Sequence, residues 1–121
     1  MRRLCVLLRL FHHVVVALTF DHGSAWALNH LLHDYLLLVL SAVSVQNGEH
    51  ELGIQRAADA LSAEPFDEMA CQALMRAHAA AGNRAEALRV FANCRKLFRD
   101  ELGAEPSEQT TAVFLSILRA E

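Results

Sequence analysis

The sequence predicts an all-α chain. Two antiparallel helix pairs of one repeating helix-turn-helix design stack in a short right-handed array, closed by a C-terminal capping helix. Three observations carry this reading. Gly48 and Gly82, each between apolar stretches, recur at the length of one helix-turn-helix repeat unit, about 34 residues. Ala87, Phe91, Cys94 and Phe98 recur at steps of four, three and four, one stripe of an amphipathic helix. Apart from "VVVAL" near the N-terminus, no strand-like series competes.

The elements follow in order. Residues 1–30 form an apolar leader set apart from a helical module over 31–121. Met1-Arg2-Arg3 followed by "LCVLLRLFHHVVVALTF" has the outline of a signal peptide, and Ala25-Trp26-Ala27 has the form of a small-x-small cleavage site. Arg9 and the pair His12-His13 divide the apolar run, and neither half reaches the ~18 residues of a membrane span. A small exported helical protein, cleaved near Ala27, is the alternative that this leader admits.

From Leu31, "LLHDYLLLVLSAVSV" is apolar nearly all round, the pattern of a helix packed on several sides. "QNGEHELG" breaks it, and "ELGIQRAADALSAE" resumes with Leu52, Ala57, Ala60 and Leu61 inward. Pro65 ends that helix and Asp67 caps the next, "EMACQALMRAHAAA". Gly82 suits the left-handed position that stops a helix, because it has no side chain to clash there. Asn83 and Glu86 have capping-box spacing for the helix that follows. After "GAEPSE", Ser107 caps a last helix carrying Val113, Phe114, Ile117 and Leu118.

The spacing of the two turn glycines is the tetratricopeptide period. With the glycines aligned, Cys71, Leu74, Met75 and His78 correspond to Leu37, Leu40, Ser41 and Ser44. Ala87, Phe91 and Cys94 correspond to Gly53, Ala57 and Ala60. Small residues let antiparallel helices approach, and an aromatic fills the gap to the next pair. Gly48, Ala57, Pro65, Leu74, Gly82, Ala87 and Phe91 are therefore the expected repeat-packing residues. Gly53, where alanine is expected, weakens its helix by about 1 kcal/mol. In such stacks the first helices line a concave groove. The register puts Tyr35, Leu38 and Ala42 from one repeat, and Met69, Gln72 and Arg76 from the next, on that groove.

Composition narrows the chemistry. A formal net charge of −3 over 121 residues gives no general attraction for nucleic acid. Cys5, Cys71 and Cys94 form no CxxC pair, so neither a disulfide framework nor a zinc site is expected, and a reducing, cytoplasmic setting fits. Arg84, Arg89, Arg95, Lys96 and Arg99 gather on one helix without interleaved aromatics for base stacking. They read as a solvated face that complements nearby acids. His30 and His33 beside Asp34 have ligand spacing, but no second pair completes a metal site. His78 stands at a repeat-packing position. Neither a G-x-S-x-G elbow nor a glycine-rich phosphate loop is present. No catalytic, cofactor or metal residue is expected, and the chain reads as a binding protein rather than an enzyme.

A narrower resemblance rests on "AADALSAEPFDEMACQALMRAHAAAGNRAEALRVFANCRKLFRDELGAEPSEQT". Its carriers are Asp67 and Glu68, residues 74–77, Gly82, residues 85–88, Arg95, residues 99–103, and Glu105-Pro106-Ser107. This stretch resembles the bacterial transcriptional activator domain, over 35–118 and most specifically over 65–110. The resemblance implies a tetratricopeptide-like helical module of actinobacterial, antibiotic-pathway-type regulators. There it usually follows a winged-helix DNA-binding domain. No recognition helix with polar base-contacting residues stands in the first thirty residues. The expectation is therefore a truncated or stand-alone interaction module. It would bind a sister regulator domain or the transcription machinery, without specific DNA binding of its own and without a membrane.

Overall fold

The computed structural model describes Arg9 and residues 25–120. The signal-like run, the "VVVAL" segment and Cys5 lie outside the described residues. The helices are α1 (Ala25–Gln46), α2 (His50–Ala63), α3 (Glu68–Ala80), α4 (Arg84–Leu102) and α5 (Glu108–Arg119), so α1 runs on through position 30. No strand occurs among the described residues.

Both tight turns are built alike. Gly48 and Gly82 adopt φ of +81° and +78°. Beyond each, the next amide reaches back to the last turn of the helix: Glu49 N to the Ser44 carbonyl at 2.8 Å, Asn83 N to that of His78 at 2.9 Å. The glycine amides donate to the carbonyls of Val45 and Ala79 at 3.1 and 3.0 Å. Every donor and acceptor of one turn has its counterpart in the other. This is the glycine stop, which satisfies carbonyls left over at a helix end.

The capping box expected at Asn83 does not form. Asn83 makes no side-chain cap hydrogen bond, and its φ/ψ of −102°/65° nearly repeats the −87°/64° of Glu49. The turn dictates that backbone, which is not the extended form from which a side chain caps. Glu86 pairs instead with Arg89, one turn along. The other two expected caps are present. Asp67 Oδ1 accepts from Met69 N at 3.0 Å, and Ser107 Oγ accepts from Thr110 N at 3.4 Å. Pro65, exposed, occupies a turn closed by Asp67 N and the Glu64 carbonyl at 3.0 Å.

Of the expected repeat-packing residues, those within helices are buried, whereas Gly48, Pro65 and Gly82 lie exposed in turns. Ala57, Leu74, Ala87 and Phe91 are all buried. One cluster joins Cys71, Met75, Ala87, Phe91 and Cys94 to Val113 and Ile117 of α5. A second joins Leu37, Ala60 and Ala70, and Leu61 packs against both. Phe91 stacks on Phe114, ring centroids 4.2 Å apart, and so fills the gap between α4 and α5.

Gly53 is more than a weak helix position. A Cβ there would come within 2.7 Å of Val45 Cγ2 and 3.2 Å of the Ser41 carbonyl. The bare backbone lets α2 lie against α1, and the buried Ser41 hydroxyl donates to the Gly53 carbonyl at 2.7 Å. The propensity cost is offset by this approach.

The outer face of α1 differs from the expected all-round packing. Leu36 and Val43 are 54% and 43% exposed. Their counterparts in the second repeat, Ala70 and Ala77, are fully buried, Ala70 against Leu37 and Ala60 of the repeat before it. Among the described residues nothing covers Leu36 and Val43 in the same way. Residues Leu28–Gln46 are also long and apolar enough, by length and composition, to cross a membrane.

A polar clasp holds α5 to α3. Glu68 Oε1 accepts from Ser107 N at 2.6 Å and from the fully buried Thr110 hydroxyl at 2.9 Å. Gln72 Nε2 donates to Thr110 Oγ1 at 3.0 Å.

This packing sets the expected cost of two substitutions. Gly53→Ala would raise stability in an open helix, but here it should lower it by about 1–3 kcal/mol through overpacking, as read by urea denaturation. Thr110→Val keeps the shape but removes the hydroxyl that donates to Glu68 and accepts from Gln72, both half-buried. It should cost about 0.5–1.5 kcal/mol in the same assay, with the helical circular dichroism of the native state retained.

Candidate functional site

The six predicted groove positions are register pairs on the first helix of each repeat: Tyr35 with Met69, Leu38 with Gln72, Ala42 with Arg76. Ala42 and Arg76 are exposed, and Tyr35 and Met69 are half-buried. Leu38 packs against the Leu37–Ala60–Ala70 cluster. Gln72 is engaged inside the molecule, its amide tied to Thr110 of α5. The α5 helix therefore lies along α3 at the groove position of the second repeat.

Tyr35 and Met69 are each influenced by two residues that the register did not single out, Arg9 and Asp67. Arg9 Nη1 donates to Met69 Sδ at 3.7 Å. Burial raises the Tyr35 phenol above its ordinary value, the Arg9 guanidinium opposes that rise, and the Asp67 carboxylate adds to it. Asp67 was legible as a helix cap, and Arg9 only as a break in an apolar run. Neither role hints at a shared neighbourhood.

The basic side of α4 is neutralised locally. Arg95 Nε and Arg99 Nε both reach Glu105, at 3.0 and 2.6 Å, and Lys96 Nζ reaches Asp100 at 2.6 Å. Arg89 pairs with Glu86, and Arg84 donates to the Leu118 carbonyl. The Arg99 and Arg95 hydrogen bonds hold the Glu105 carboxyl below the usual carboxylate range, and Asp100 raises Lys96. These are exposed pairs of small energetic weight. Their effect is on the field that the helix presents.

Cys71 and Cys94, distant in sequence, meet in the core as buried free thiols. Hydrogen bonding to Cys94, with burial, pushes the Cys71 thiol up, which keeps it protonated and unreactive. His33 Nδ1 lies 3.8 Å from Asp34 Oδ1, and no group of three metal-ligating side chains occurs among the described residues. His78, at its packing position, is half-buried with its Nδ1 enclosed and without a hydrogen-bond partner.

The site is thus a helical face with cationic, anionic and apolar side chains and no reactive constellation among the described residues. Neither the curated proteins nor the solved structures contain a match to this chain. The family description that matches, over residues 9–118, is the bacterial transcriptional activator domain. That span takes in Arg9, both glycine-stopped repeats and nearly all of α5, and the chain belongs to the bacterial transcriptional activator domain family.

Proposed function

We propose that this chain is a protein-interaction module of a transcriptional regulator, working in the cytoplasm by binding rather than by chemistry. Its partner is a sister regulator domain or a segment of the transcription machinery. The family membership supports the regulatory setting. The observation that carries the binding role is the pairing of groove positions at the repeat spacing, with Arg76 exposed on α3. An arginine on such a face holds a partner carboxylate through two parallel hydrogen bonds.

Exposed Arg76 and buried Leu74 separate recognition from folding. Arg76→Glu should weaken capture of an acidic regulatory partner while changing stability by no more than about 0.5 kcal/mol. Leu74→Glu should unfold the second repeat. Pull-down and thermal melting of both variants check this. A folded Arg76→Glu variant with undiminished binding would move the groove elsewhere.

The ion-paired side of α4 supports a module that does not itself read DNA sequence. Any retardation of a promoter fragment by the purified chain should vanish at moderate salt, as phosphate-only contacts do. Salt-resistant binding to one sequence would overturn that part of the reading.

A further inference from the structure

Tyr35, Asp67 and Met69 stand at one end of the groove. Tyr35 and Met69 occupy one register position in successive repeats, and both are half-buried. Asp67 precedes α3 and is fixed there by its own capping bond to Met69 N at 3.0 Å. An aromatic ring, a thioether and an oriented carboxylate are three groups that suit a guanidinium. The ring and the sulfur tolerate its weakly hydrated faces, and the carboxylate matches its charge. Arg9 reaches Met69, with Nη1 3.7 Å from Sδ, and its charge acts on the Tyr35 phenol. Arg9 and Met69 are far apart in sequence, so the contact is tertiary and not a by-product of local helix geometry.

We propose that Tyr35, Asp67 and Met69 form an arginine site at one end of the partner groove, and that the chain fills this site with its own Arg9. The contact is autoinhibitory. A partner that uses the whole groove replaces Arg9 with a guanidinium of its own and presents a carboxylate to Arg76. Arg76 lies two helical turns beyond Met69 along α3, a distance of about 10 Å at the helical rise. The partner segment is therefore bipolar, cationic toward Asp67 and anionic toward Arg76. This rests on the groove reading for its meaning, but the occupancy of the site by Arg9 is testable without any partner.

Tyr35 is the chain's single tyrosine, so phenolate absorbance titrates this site alone. In the full chain, Arg9→Met removes the cation and keeps an apolar side chain of similar reach. The Tyr35 midpoint should shift upward, because the opposing effect of the guanidinium is gone while burial remains. Asp67→Asn retains a good helix cap and should shift the midpoint downward. Arg119→Met, at the exposed end of α5, should leave it in place. The Met69 methyl resonance should move in Arg9→Met and stay put in Arg119→Met. A Tyr35 midpoint that is unchanged or lowered in Arg9→Met, or an unmoved Met69 methyl signal, would overturn the assignment. Undiminished partner capture by Arg76→Glu would instead count against the groove reading and leave the Arg9 contact standing.

Discussion

A chain that reverses direction in so tight a turn needs a residue in the left-handed region, where a Cβ crowds the following carbonyl. Gly48 and Gly82 meet that need at nearly the same φ, with the same back-reaching hydrogen bonds. Because the two turns agree, the helices on either side of each leave in the same relative directions. Several inward positions one period apart then share an environment. Leu37 and Cys71, Ser41 and Met75, and Ala60 and Cys94 are buried in both repeats for this reason. Even the missing caps at Glu49 and Asn83 follow from the turn and not from the identity of either residue.

The elements of the stack are joined by different means. Between the two repeats the contact is apolar, through Leu37, Ala60 and Ala70, with Leu61 reaching both clusters. At the far end, α5 adds an aromatic stack on Phe91 and a polar clasp through Glu68, Gln72 and Thr110. The clasp also engages Gln72 inside the molecule, so the amide at that register position is held by Thr110.

Much of the fold was legible because the relevant interactions are local. A glycine stop, an aspartate cap, a serine cap and a small-large-small stripe are each written within a few residues. The Asn83–Glu86 spacing misled because a capping box needs an extended backbone, and the preceding Gly82 turn denies it. The proximity of Cys71 to Cys94, the engagement of Gln72 by Thr110 and the contact of Arg9 with Met69 are tertiary, and sequence spacing carries no trace of them. Charge placement on α4 lay between these cases. Lys96–Asp100 is one helical turn, whereas Glu105 reaches Arg95 and Arg99 only because Gly103 turns the chain back, at φ +62°. On the candidate site, the register names positions on α1 and α3 but carries no trace of which of those side chains, such as Gln72, the molecule engages itself.

Gly53 bears on how far the two repeats are interchangeable. Its counterpart Ala87 is fully buried in the second repeat, so a methyl group is accommodated at that crossing. At Gly53 the same methyl would strike Val45. The two crossings are thus filled differently although their turns are the same, for Val45 stands where the second repeat has Ala79. A whole copy of the second unit would carry Ala79 and Ala87 together, whereas a chimera that exchanges only the second helices would bring an alanine against Val45 and need that side chain trimmed. The period describes where the chain turns, and the side chains that face each other within a pair have to be exchanged together.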